Sequence, residues 1–206
     1  MPFVFKRLAL LLSIAAAFAA DKPADFKPGK ADSFAQHQTN AKVTVGVDPY
    51  MMGEKVKVAF GKVDPYQLGV LPVLVVIENN SDVSIKLDSI RAEYVGPNRD
   101  RVDATPAKDV RYLQGADRPK MVTGPGKPII LKKKNPLDAW EIEGRAFAAQ
   151  MLPPGQSANG FFYFQTGLQK GATIYLTGMK EAGTGKELFY FELPLSTDSP
   201  DRVKAK

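Results

Sequence analysis

From about residue 42 onward, apolar and polar residues alternate with period two in short runs, the mark of half-buried β-strands. Residues 42–47 (KVTVGV) and 55–60 (KVKVAF) both follow this rule and predict strands. Residues 70–78 (VLPVLVVIE) are nearly all apolar, which predicts a strand covered on both faces. Pro72 falls near its start, where a missing N–H is tolerated. The polar cluster Asn79, Asn80, Ser81 and Asp82 predicts a turn, because such side chains bond their own backbone. Residues 84–95 resume as a strand, and the changed apolar spacing between Leu87 and Ile90 predicts a bulge or bend. The stretch 97–139 reads as loop, punctuated by short β pieces at 110–113 and 129–131.

Residues 140–151 support two readings. Their Ala, Glu and Arg content favours helix, whereas Trp140, Ile142 and Gly144 alternate as in a strand. Pro153, Pro154 and Gly155 then stop either element. Strands follow at 160–165, 172–177 and 187–195, and residues 182–186 (AGTGK) are expected to join the last two as a hairpin. Phe161, Phe162, Tyr163 and Phe164 alternate faces, so one pair is expected in the core and the other exposed or covered by the 97–139 loop. Short strands at these intervals predict an all-β fold, an immunoglobulin-like two-sheet β-sandwich.

The flanks differ. A basic pair, Lys6 and Arg7, precedes an uncharged run over 8–20 that ends in Ala17-Phe18-Ala19. Positive flank, short apolar stretch and A-x-A exit predict a signal peptide over 1–19. That run is short for a membrane span, which needs about 20 apolar residues, and no later stretch is long enough. The expected location is therefore outside the inner membrane, periplasmic or extracellular. Residues 20–41 read as a flexible, disordered linker, 42–196 as the sandwich domain, and 197–206 as a disordered tail.

Composition narrows the chemistry. The chain has no cysteine, which removes thiol nucleophiles, disulfides and thiolate metal sites, and requires a core able to stand alone. Its 28 basic residues, less Lys6 and Arg7, face 22 acidic ones, a net of +4 after cleavage. That mild excess does not match the dense basic footprint of a nucleic-acid binder.

Two phrases together suggest a family. Gly69 through Ile77 (GVLPVLVVI) runs into Asn79-Asn80-Ser81, and Leu152 through Phe161 (LPPGQSANGF) runs into Phe162-Tyr163-Phe164. This resembles bacterial secreted and envelope immunoglobulin-like domains of the LEA-like and DUF4352-like kind, in which an apolar strand meets an Asn/Ser turn and a Pro-Gly turn precedes a glycine-aromatic strand. The matching phrases cover about a quarter of the domain. The resemblance implies a binding or accessory module without catalysis and transfers no functional residue. The lipobox cysteine usual in the DUF4352-like pattern is missing, so membrane anchoring is not implied.

Motifs for catalysis are thin. The single histidine, His37, falls in the expected linker, away from any nucleophile or second imidazole, as a triad or a zinc site would require. Glu141 and Glu143 would share one face of a strand, about 6.6 Å apart at Cα, a spacing loosely suited to paired-carboxylate hydrolysis. Glu187 and Glu192 would face opposite ways. Residues 98–103 depart from a calcium loop at its fifth, sixth and twelfth positions. Gly183-Thr184-Gly185-Lys186 lacks the first glycine and the final Ser/Thr of a P-loop. Ser157 sits one residue out of a G-x-S-x-G elbow. Each of these reads as a turn.

The expectation is an exported, non-catalytic binding or envelope-accessory module with no catalytic residue, metal or cofactor. Its candidate binding residues are Lys132, Lys133 and Lys134, the densest basic stretch, with Lys186 on the glycine hairpin. Expected partners are an envelope protein, an anionic glycan or a lipid surface, and no nucleic acid. Two other readings stay open: a secreted carbohydrate-active hydrolase using Glu141 and Glu143, and a structural protein that pairs a strand edge with a partner.

Overall fold

In the computed structural model the described residues are 26–113, 120–122, 129–131 and 135–195. The nearly unbroken apolar run becomes β3 (Leu71–Asn79), the longest strand of a four-stranded antiparallel sheet ordered β1 (Gln36–Asn40), β2 (Val43–Pro49), β3 and β10 (Ser157–Phe164). A second four-stranded sheet is ordered β13 (Phe191–Pro194), β11 (Thr173–Thr177), β5 (Arg91–Val95) and β6 (Arg101–Asp103). Short β12 (Lys180–Glu181), β4 (Ile85–Lys86) and β9 (Met151–Leu152) form a three-stranded sheet, and β7 (Lys120–Val122) pairs with β8 (Ile129–Leu131). The chain is an all-β sandwich, as its alternation predicts.

Parity along the strands shows how the layers stack. Val43, Val45 and Val47 of β2, Val73, Val75 and Ile77 of β3, and Phe164 of β10 face the second sheet, meeting Tyr94, Ile174, Leu176, Phe191 and Leu193 in one buried cluster. The intervening residues Leu74 and Val76 of β3 and Phe161 and Tyr163 of β10 point the other way into a second cluster. That cluster is closed by α1 (Glu54–Phe60), α2 (Ala107–Val110) and α3 (Trp140–Gly144), which contribute Phe60, Val110 and Ile142. The first sheet is thus buried on both faces, which is why its central strand needs apolar residues at every position. Glycine permits this closeness at two points: a Cβ on Gly46 would collide with the Ala31 carbonyl, and one on Gly160 with the Phe147 backbone.

The helical cover corrects several expectations. Residues 55–60 form a helix, not a strand. Over six residues K-V-K-V-A-F also places Val56, Ala59 and Phe60 at helical i, i+3, i+4 spacing, and those three are buried. Gly53 and Gly61, with φ of 89° and 62°, bound it. The β piece expected at 110–113 is instead the end of α2 and the turn after it. Residues 140–144 take the helical alternative, and 145–147 then run beside β10. Phe161 N–H donates to Arg145 O at 2.9 Å and Phe147 N–H donates to Phe161 O at 3.1 Å. The aromatic run is consequently buried at three positions, Phe161, Tyr163 and Phe164, because both faces of β10 are covered.

The linker expected over 20–41 is corrected from Phe26 onward. Ala31 is fully buried and Phe26 and Phe34 pack on the second cluster, while 36–40 pair with β2. Alternation of partly buried Gln36, Gln38 and Asn40 with exposed residues was present there, but without apolar side chains to mark it. The expected bend near 87–90 is a turn that carries the chain from β4 in the small sheet to β5 in the second. The expected signal segment 1–19 and the tail 197–206 lie outside the described residues. No helix among the described residues is long and apolar enough to cross a membrane.

Candidate binding surfaces

With the first sheet enclosed, the outer face of the second sheet is a strand surface that no other described element covers. Its outward residues follow from parity: Arg91 and Glu93 on β5, Arg101 and Asp103 on β6, Thr173, Tyr175 and Thr177 on β11, and Glu192 on β13. Register places Tyr175 between Glu93 on one side and Glu192 on the other. Arg101 Nη1 meets Glu93 Oε2 at 2.7 Å, and its guanidinium carbon lies 5.6 Å from the Tyr175 ring centroid. Tyr190, just before β13, brings its ring to 4.9 Å from that of Tyr175 with planes inclined by 33°. Phe189 beside it is 79% exposed and Tyr190 49%. Basic and aromatic side chains therefore converge on a broad surface of balanced charge, with two arginines against three carboxylates.

A second feature lies where this sheet parts from the first. After β6 the chain crosses over, with Ala104 N–H bonded to Ala92 O at 3.0 Å and Thr105 N–H to Tyr163 O at 2.7 Å. Beside the crossing is a crevice of about 370 Å³. Phe147 and Phe162, stacked at 5.3 Å and 17°, form one wall, and Arg91 and Asp103 are exposed lining residues.

Other titratable groups hold the cover in place. Lys55 Nζ bonds Asp48 Oδ1 at 2.8 Å and Pro49 O at 2.9 Å, and sits 4.8 Å from the Tyr50 ring centroid, fastening α1 to β2. Burial, reinforced by the Asp48 carboxylate, raises the Tyr50 hydroxyl far above the ordinary tyrosine range. Burial does the same for Tyr163, whose hydroxyl donates to Ile142 O at 2.7 Å. The Arg145 guanidinium opposes both shifts, and its carbon stands 4.7 Å from the Phe26 ring centroid. Its Nε is buried without a hydrogen-bond partner among the described residues.

The residues singled out from sequence fare differently. Lys132, Lys133 and Lys134 lie outside the described residues. Lys186 is exposed on the glycine turn, where its N–H donates to Thr184 Oγ1 at 3.1 Å and Gly185 N–H donates to Glu181 O at 2.9 Å. Glu141 and Glu143 lie on α3, about 200° apart around its axis, where a strand would have aligned them. Glu143 is engaged by Arg111, which also holds Asp138 at 2.8 Å. His37 is an exposed β1 residue with Nδ1 2.8 Å from Phe34 O. No group of three or more His, Asp or Glu side chains among the described residues could hold a metal ion.

No family model and no curated protein matches the chain, so the DUF4352-like and LEA-like resemblance has no family match behind it. Similar solved structures include a structural-genomics target at 13% identity and TM-score 0.36, covering 78% of this chain and 90% of that one. They also include a predicted lipoprotein from Bacillus subtilis at 11% identity and TM-score 0.38, covering 86% of this chain and 42% of that one. A DUF4426 family protein from Pseudomonas aeruginosa is similar at 12% identity and TM-score 0.32, covering 80% of this chain and 96% of that one.

Sequence reasoning missed Tyr175, Tyr190 and Arg101 because it searched for dense like charge. The signal was present in T-I-Y-L-T. Once that segment is a strand with Ile174 and Leu176 inward, Tyr175 is an aromatic residue on the solvent side, flanked by threonines.

Proposed function

We propose that this chain is an exported, non-catalytic envelope-accessory module that binds a glycan chain on the outer face of its second sheet. The observation that carries the reading is the Arg101–Tyr175–Tyr190 cluster on that face. Aromatic rings offer flat apolar area to sugar rings at low entropic cost. Arg101, Glu93 and Glu192 supply donors and acceptors for hydroxyls at the same surface. The balanced charge favours a hydroxyl-rich polymer over an anionic membrane, which calls for clustered positive charge.

Two alternatives lose support. The hydrolase reading asks for aligned carboxylates, whereas α3 separates Glu141 from Glu143 and Arg111 engages the latter. The strand-pairing reading asks for a long bare edge. On β10 that edge is occupied by Thr105 and residues 145–147, and β1 meets β13 through Gln38, which accepts from Glu192 N–H at 3.0 Å.

The test is affinity electrophoresis of the full chain against neutral and uronate-bearing polysaccharides, with phosphatidylglycerol vesicles as the comparison. Retardation by a polysaccharide that survives high salt and falls at least tenfold in the Y175A/Y190A variant is expected. Binding that survives this double variant but vanishes when Lys132, Lys133 and Lys134 become Ser would refute the sheet-face reading in favour of the basic stretch.

A further inference from the structure

Where β6 leaves the second sheet, the two layers part around a crevice of about 370 Å³, within the range of small-molecule sites. The crossing after Asp103 creates it. Ala104 N–H holds the chain to β5 through Ala92 O, and one residue later Thr105 N–H bonds Tyr163 O on β10. Small residues keep the gap open: Ala92, Ala104, Ala107 and Ala146 line it, and the stacked Phe147 and Phe162 form its inner wall between the sheets. An apolar space of this kind holds water poorly and takes apolar guests. Strand parity places its mouth. Arg91 and Asp103 also border the crevice, yet their side chains turn to the outer face of the second sheet, so the opening lies at the rim of that face. Register sets Asp103, Glu93 and Tyr175 side by side on β6, β5 and β11. Two strand spacings, about 10 Å, thus separate the rim from Tyr175.

We propose that the glycan bound on the outer face carries a short acyl chain, and that this crevice receives the chain. The inference rests on the glycan reading and adds the class of sugar, one bearing a single aliphatic substituent. The sugar rings stay on Tyr175 and Tyr190, while the chain passes the rim beside Arg91 and Asp103 and lies along Phe147 and Phe162. Removing its methylenes from water supplies affinity that the open face lacks. The volume, near the lower end of the small-molecule range, suits one short chain and not the paired long chains of a membrane lipid.

The experiment uses the full chain, isotopically labelled, titrated with methyl maltoside, octyl maltoside and octyl phosphocholine below their micelle thresholds while amide shifts are followed. Octyl maltoside is expected to shift residues 104–107, 147 and 162 together with Tyr175 and Tyr190, and to bind about tenfold or more tighter than methyl maltoside. Ala107→Leu fills the crevice from α2 with a good helix former, and Ala104→Val fills it from the crossing segment. Either variant that keeps the parent spectrum is expected to bind both maltosides alike. Equal affinity of the two maltosides for the parent chain, with shifts around Tyr175 and Tyr190 alone, overturns the proposal and leaves the glycan reading standing. Crevice shifts equally strong with octyl phosphocholine also overturn it, since the chain then binds without a sugar. Crevice shifts from octyl maltoside with no response at Tyr175 and Tyr190 overturn the glycan reading as well. Absence of any response to octyl maltoside at millimolar concentration sinks the crevice as a site.

Discussion

The two large sheets each have four strands, yet they are written in different residues because they face different surroundings. In the first, β3 carries apolar side chains on both faces and β10 carries four aromatics in succession. In the second, β5 (RAEYV) and β11 (TIYLT) alternate strictly, with Ala92, Tyr94, Ile174 and Leu176 buried and their neighbours turned to solvent. The three short helices make the difference, since they cover the outer face of the first sheet, whereas no described element covers that of the second. Burial on one face supplies cohesion, while the exposed face remains free to carry recognition. Aromatic residues show the contrast well: Phe161 and Tyr175 both stand on a sheet's outer side, but only Phe161 lies under a cover.

The sharpest way to break the comparison is to empty the covered side. Phe161 lies 4.7 Å from Phe60, 4.9 Å from Tyr50 and 5.5 Å from Phe26, measured between ring centroids. Phe161→Ala removes the ring shared by all three and is expected to cost about 3–5 kcal/mol, read from urea denaturation midpoints. A loss near zero would mean that the helical layer contributes nothing to cohesion.

Next in size is the polar staple at the end of β3. Asn79 is fully buried, donating to Val83 O at 2.8 Å and Leu152 O at 2.9 Å, and accepting from the Ser81 hydroxyl at 2.6 Å. Asn79→Ala orphans those groups and is expected to cost about 1–3 kcal/mol in the same denaturation measurement. Asn79→Asp cannot donate to either carbonyl and is expected to fare no better.

Much of this division was legible beforehand. Nearly continuous apolar residues at 70–78 announced a strand covered twice, and a strand was expected at 172–177 without its open face being assigned. What covers β3 was not legible, because the helices are short. Over six residues KVKVAF satisfies both periods, and only the flanking Gly53 and Gly61 and the sheet below decide between them. The strand at 36–40 (QHQTN) was hidden for the opposite reason: it contains no apolar residue, and its place depends on backbone pairing and on side-chain amides reaching β13. The tyrosine face was hidden because it joins Arg101, Tyr175 and Tyr190, whose proximity appears only once β6, β11 and β13 lie in one sheet.

A smaller effect tests the cover through pH. Tyr163→Phe loses the bond to Ile142 O and is expected to cost about 1–2 kcal/mol at neutral pH. Burial raises the Tyr163 hydroxyl in the folded chain, whereas an unfolded tyrosine ionises near pH 10. Above that pH the unfolded state binds fewer protons than the folded one, so stability is intact below about pH 10 and falls as pH rises further. Tyr163→Phe should make this alkaline decline shallower, with Tyr50, shifted in the same direction, sustaining the remainder. An unchanged slope would place the Tyr163 hydroxyl in water.

The smallest stability effect belongs on the open side. Tyr175 contacts Tyr190 and Arg101, both substantially exposed, and such surface ring and cation contacts contribute about 1 kcal/mol or less. Tyr175→Ala is therefore expected to lower stability by no more than about 1 kcal/mol, leaving the denaturation slope unchanged, while it weakens polysaccharide retardation strongly. That separation is what distinguishes a recognition surface from a core. Were Tyr175→Ala to destabilise the chain as much as Phe161→Ala, the second sheet would need a cover of its own, and the contrast between the sheets would fail.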